Sequence, residues 1–349
     1  MNNKAGMQKL ILAVIATMVL LIGGCALNTK TSTKTVTFTN PLSTDGGVYS
    51  DPWLIRVGKE YYYCGSDGKS QITIKKSNAP TDILEQNDHV VWQAPDRSSY
   101  SSETWAPELH YLSGRWYIYF AADDGENANH RMYALAGGTN FNDPLDGKYS
   151  FQGKVADDTN RWAIDGTVLT IAKKLYFVWS GWAGEQNVAQ NLYIAPMSDP
   201  VTISGTRVLI SAPTEPWERN GEPFVNEGPE VLTHEGQVTL IYSASGSWTD
   251  NYCLGQLTLK GKNPLKPSNW VKRKSGPVFK KTNQVFGPGH ASFISSPDGT
   301  PWIMYHAAKV KGSGWDRDIR LQPFSWNSDG TPSFGKPEAP GKKISYSLN

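Results

Sequence analysis

Three carboxylates stand out by their surroundings: Asp51 in Ser50-Asp51-Pro52, Asp165 in Ile164-Asp165-Gly166, and Glu227 in Asn226-Glu227-Gly228-Pro229. Glu108, after Trp105-Ala106-Pro107, and His290, after Gly287-Pro288-Gly289, hold the corresponding place in two further stretches. Taken singly, Asp-Pro and Glu-Gly-Pro are ordinary turn openers. Gathered in one place, like charges raise one another's pKa and cost stability, which points to a use for them. Two carboxyl groups in different protonation states can hydrolyse a glycosidic bond. One protonates the leaving oxygen, and the other activates water or attacks the anomeric carbon. A third can hold the acid's pKa up and orient it.

For this chemistry the chain must bring distant residues together. Each landmark opens an apolar strand, a short polar turn and an aromatic-rich return strand, as in Asp165 to Ser180 with its turn at Ala172-Lys173. Such segments read as β-hairpins. The landmarks Asp51, Glu108, Asp165, Glu227 and His290 are spaced by 57, 57, 62 and 63 residues. A fixed period marks a repeat architecture, and this one leaves room for four strands per unit. Five such units arranged radially make an all-β, five-bladed β-propeller of four-stranded antiparallel blades. Third-strand candidates are Ile72-Thr73-Ile74 and Asn191 to Ala195, and outer-strand candidates are Val90-Val91-Trp92 and Val271-Lys272. A β-sandwich with long loops is the structural alternative. In a propeller the innermost strands line the axis, so landmarks at their starts converge at one end of it.

These five motifs, in this order and at blade spacing, resemble glycoside hydrolase family 43 over about residues 40 to 335. The resemblance implies that Asp51 is the general base, Glu227 the general acid and Asp165 the modulator of that acid's pKa. It implies inversion of configuration, which places base and acid roughly 6.5–9.5 Å apart to admit a water. It also implies calcium near the axis, contacted by His290 through water; a neutral histidine bound to the substrate site or backbone is the alternative. No organic cofactor is expected. Glu108 is expected to support the substrate site, or to lie in a loop. Trp105 and Trp182 are candidate sugar platforms, with packing inside a blade as the alternative. Arg320 is the candidate substrate arginine, with a blade-to-blade salt bridge as its rival.

Within the family, Asn226 to Leu232, Tyr242-Ser243-Ala244-Ser245 and Asn251 to Gly255 look most like the α-L-arabinofuranosidase branch. The expected substrates are arabinan or arabinoxylan-type plant cell-wall polysaccharides and oligosaccharides. β-Xylosidase and endo-arabinanase are the alternatives. A non-catalytic carbohydrate-binding propeller would lack one of the three carboxylates.

The remaining composition bounds the setting. Lys4 and Lys9 precede a mostly apolar run from Leu10 to Ile22 and then Gly23-Gly24-Cys25. The run is short for a membrane span and suits a signal peptide over 1–24. The small residues before Cys25 resemble a bacterial lipobox, which implies lipidation at Cys25 and an exported lipoprotein at the cell surface or in the periplasm, anchored by lipid alone. Residues 25–37 are expected to be a flexible tether and 38–349 the catalytic propeller. Of 34 basic residues, Lys4 and Lys9 fall in the signal segment, leaving 32 against 32 acidic ones. No basic stripe argues for nucleic acid. Cys64 and Cys253 sit in aromatic strand patterns and are either paired or buried free thiols.

Overall fold

The computed structural model describes residues 35–43, 46–47 and 49–347. The expected signal peptide, Cys25 and most of the tether lie outside the described residues. The described chain is built on β-strands, with only four short 3-10 turns, Pro80–Glu85, Asn127–Asn129, Pro216–Glu218 and Pro267–Asn269.

Five antiparallel units follow one another. Blade 1 comprises Trp53–Val57, Glu60–Ser66, Gln71–Ser77 and His89–Gln93. Blade 2 comprises Ser102–Leu112, Arg115–Asp123, Arg131–Ala136 and Ser150–Lys154. Blade 3 is Ala163–Ile171, Lys174–Trp182, Ala189–Asp199 and the outer Val208–Ser211. Blade 4 is Phe224–His234, Gln237–Ala244, Cys253–Leu259 and Trp270–Lys272, and blade 5 is Phe286–Ser295, Pro301–Ala308 and Arg317–Pro323. All four third- and outer-strand candidates fall where expected. Tight turns at Ser113-Gly114, Ala172-Lys173 and Glu235-Gly236 take positive φ at both residues, the backbone twist that suits two-residue hairpins.

Packing explains why the second strands read as continuous apolar runs. Successive side chains point to opposite faces, and each face meets a neighbouring blade. Ile118 and Phe120 face blade 1 beside Tyr62 and Ile72, whereas Tyr119 and Ala121 face blade 3 beside Phe177. Each of the five seams between consecutive blades, including that between blades 5 and 1, carries its own buried cluster. The ring is therefore closed. Cys64 and Cys253 are buried free thiols in different blades.

Blade 5 has three ladder strands, and its outer edge is covered by the N-terminal segment. The Asn40 side chain accepts from Leu321 N at 2.9 Å and donates to Leu321 O at 3.0 Å, standing in for a strand backbone. Leu42 N donates to Ile319 O, and Tyr49 N to Arg317 O. Strand Thr35–Thr39 pairs with Lys343–Ser347, and its first three residues fall in the segment expected to be tether. Val36, Phe38, Ile344 and Tyr346 pack onto the seam of blades 5 and 1.

Asn40 is 1% exposed. Asn40→Ala orphans two buried backbone groups of Leu321, each worth about 1–3 kcal/mol. We expect a Tm several degrees lower with kcat retained, measured by calorimetry and a parallel assay.

Candidate active site

A shared backbone device positions the site. Asp51, Ala106, Asp165, Gly228 and His290 all adopt left-handed φ, between 44° and 53°. In blades 2 to 5 the strand register shifts at this point, a β-bulge in the innermost strand. Four of these residues are not glycine, and each such conformation costs about 1–3 kcal/mol unless its surroundings enforce it. Gly228 tolerates it without penalty, and a Cβ there would stand 3.1 Å from His290 Nδ1. The structurally equivalent positions are thus spaced 55, 59, 63 and 62 apart. Glu227 precedes its blade's left-handed residue by one position, and Glu108 follows its own by two.

Asp51, Asp165, Glu227 and His290 do converge. His290 Nδ1 lies 3.0 Å from Asp51 Oδ1 and 4.0 Å from Asp165 Oδ2. Gly228 N donates to Asp165 Oδ2 at 2.9 Å, which fixes the residue beside Glu227. Tyr252 OH donates to Glu227 Oε1 at 2.8 Å. Asp51 N donates to His306 Nδ1 at 3.1 Å, so that nitrogen carries no proton. Arg317 Nη1 stands 3.9 Å from Asp51 Oδ1.

The same contacts separate the carboxyls in acidity. Burial pushes Asp51 up, but the neighbouring His290 and Arg317 outweigh this and hold it well below the usual carboxylate range. Burial pushes Glu227 up to about 7, with the Asp51 charge adding and the Tyr252 hydrogen bond opposing. Asp165 is raised well above its ordinary value by burial and then by the charges of Glu227 and Asp51. Burial keeps His306 neutral by pushing it down to about 3. At neutral pH the site therefore holds an ionised carboxylate, a carboxyl near its midpoint and a third group pushed toward its protonated form. Divergent pKa values of this kind assign base and acid.

The other expected residues fall in different places. Glu108 is buried one layer further down the axis, 2.9 Å from His110 Nε2, and burial pushes its pKa well above the ordinary value. It lines a narrow axial crevice with Asp51 and His290. Trp105 is half-buried and stacks on His130 at 3.9 Å between ring centroids. Trp182 is 5% exposed and stacks on Trp162 at 4.8 Å, so it packs within the protein and offers no open platform. Arg320 is 1% exposed and paired with Asp318 at 2.7 Å, away from the carboxylates.

The arginine of the site is Arg317, and Tyr252 and His306 join it. Strand direction could have found all three. First and third strands of each blade start at the site face, and second strands end there. Arg317 and Tyr252 stand at third-strand starts and His306 near a second-strand end. Arg320 is three residues further, about 10 Å down the strand.

Fold and site together define a propeller glycosidase whose clustered carboxyl groups differ in acidity. The model of glycosyl hydrolases family 43 matches residues 38–332, and the chain belongs to that family. It is similar to the extracellular exo-α-(1→5)-L-arabinofuranosidase of Streptomyces avermitilis, 36% identical over 95% of this chain and 70% of that protein. It is also similar to α-L-arabinofuranosidase 43 of Humicola insolens, 34% identical over 84% of this chain but spanning only 62% of that protein's length. The crystal structure of an α-L-arabinofuranosidase from Lactobacillus brevis superposes with a TM-score of 0.78 at 34% identity, covering 87% of this chain and 98% of that one.

The Tyr252 hydroxyl favours the ionised form of Glu227. Tyr252→Phe should therefore raise the acid's pKa and move the alkaline limb of the kcat/KM profile, expected near pH 7 in the wild type, to higher pH. A limb that moved downward would contradict the assignment.

Proposed function

We propose that this glycoside hydrolase is an exo-acting α-L-arabinofuranosidase that releases terminal arabinofuranosyl units from arabinan or arabinoxylan-type chains with inversion. The observation that carries the chemistry is the coexistence, at one end of the axis, of a charge-held Asp51 and a Glu227 pushed up to about 7. The names and identities of the relatives support the sugar.

In this reading Asp51 takes a proton from water as it attacks the anomeric carbon. Glu227 gives its proton to the leaving oxygen. Asp165 fixes the backbone beside Glu227 through Gly228 N. Glu227→Gln should lower kcat on arabinan by about 10²–10⁴-fold, with a much smaller loss on 4-nitrophenyl α-L-arabinofuranoside, whose leaving group needs little protonation. Asp51→Asn should abolish turnover of both. Proton NMR of the first turnovers should show the β-anomer of arabinose. Release of the α-anomer would exclude inversion, and turnover of 4-nitrophenyl β-D-xyloside alone would favour the β-xylosidase reading.

A calcium ion near the axis, contacted by His290 through water, is proposed on the family resemblance alone; calcium prefers oxygen ligands. It would supply positive charge beside the buried carboxyl groups. Dialysis against EDTA should lower both activity and Tm, and calcium chloride should restore both.

We further propose export and lipid anchoring through Cys25, in keeping with relatives named as extracellular. Labelling with radioactive palmitate, lost in Cys25→Ala, checks this.

A further inference from the structure

Of the chain's 13 tryptophans, only Trp315 is exposed, at 61%. It lies in turn 309–316 between the second and third strands of blade 5, and such turns open on the face that carries the catalytic carboxyls. The turn is clamped. Lys309 N donates to Asp316 O at 3.0 Å, Lys309 Nζ meets Asp316 Oδ1 at 2.7 Å, and Gly312 N donates to Asp250 Oδ1 at 2.8 Å.

The indole is held as firmly as its turn. Trp315 Nε1 donates to Ser247 Oγ at 3.0 Å, and the ring meets half-buried Trp248 edge-on, with centroids 6.1 Å apart and planes at 74°. Ser247 also connects this pair to the site, because its carbonyl accepts from Arg317 Nη2 at 2.7 Å. Arg317 stands beside Asp51 and over the ring of Tyr252, which holds Glu227. A rigid aromatic shelf therefore adjoins the machinery on the side of blades 4 and 5.

Glu227 belongs to blade 4 and must stand next to the leaving oxygen to protonate it. Whatever that oxygen remains attached to leaves the pocket on the same side, toward the Trp248 and Trp315 turns. The weakly positive C–H bonds of a sugar's apolar face sit well on the negative face of an indole. A ring already immobilised loses little entropy when it binds.

We propose that Trp315 and Trp248 form a binding platform for the neutral pentose unit that carries the leaving oxygen, and so set the preference for polymeric over small leaving groups. The proposal rests on the glycosidase reading above. The readout is the ratio of kcat/KM on arabinotriose to that on methyl α-L-arabinofuranoside, whose aglycone is too small to reach the platform. Trp315→Ala should lower this ratio on the order of tenfold, mainly through KM for the trisaccharide, and Trp315→Phe should recover most of it. An unchanged ratio in Trp315→Ala would overturn the platform, as would an equal loss on both substrates. Isothermal titration of Glu227→Gln, with and without Trp315→Ala, against xylotriose and free xylose reads the platform without arabinofuranoside turnover. Failure of the wild type to cleave either arabinoside would sink the substrate assignment alone, whereas equal weakening or no weakening of both titrations would sink the platform.

Discussion

The site rests on an electrostatic constraint: Asp51, Asp165 and Glu227 are gathered in one largely buried place, where three negative charges cannot coexist at low cost. The surroundings resolve this unequally. His290 and Arg317 converge on Asp51 and keep it ionised, whereas Glu227 receives one hydroxyl from Tyr252 and Asp165 one amide from Gly228. The carboxyl with the most positive and polar company stays ionised, as a general base must, and Glu227, left mostly to burial, is pushed toward its protonated form, as a general acid must be. Protonation is thus allotted by neighbours contributed from blades 1, 3, 4 and 5.

That allotment requires a closed ring. The carboxyl groups come from blades 1, 3 and 4, and most of their partners from blades 4 and 5, so relative blade positions set their distances. Five seam clusters fix those positions by burial of apolar side chains. The seam between blades 5 and 1 joins Asp51 to His290, His306 and Arg317, and it is the one that both chain ends reinforce. Asn40, acting as a surrogate backbone, ties the N-terminal segment to Leu321 in the strand that begins at Arg317. Stability at that seam and chemistry at Asp51 are consequences of the same packing.

Much of this was legible in the sequence because the repeat is written in residue types. Apolar runs, polar turns and a near-constant period define five units, and the three clustered carboxylates and His290 could be picked out at unit starts. Fine register was harder to read. Glu108 and Glu227 were aligned as equivalents by type, but the conformational landmark is the left-handed residue, Ala106 in one blade and Gly228 in the other. Residue type singles out Arg320, whereas Arg317 stands at the site; depth along the strand separates the two. Trp182 resembled a platform in sequence, yet its ring is buried against Trp162. The N-terminal cover of blade 5 has no periodic signature, since Asn40 makes its contacts through a side chain.

The central claim is that Glu227 carries a proton where Asp51 does not. Infrared difference spectra of wild type minus Glu227→Gln, recorded across pH, test it directly through the carbonyl stretch of a protonated carboxyl. The account predicts a wild-type band, absent from the variant, that disappears as pH rises through about 7. Wild type minus Asp51→Asn should show no protonated band from Asp51 anywhere between pH 5 and 9. A Glu227 band lost already near the ordinary glutamate value of about 4.3, or a protonated Asp51 at neutral pH, would contradict the account.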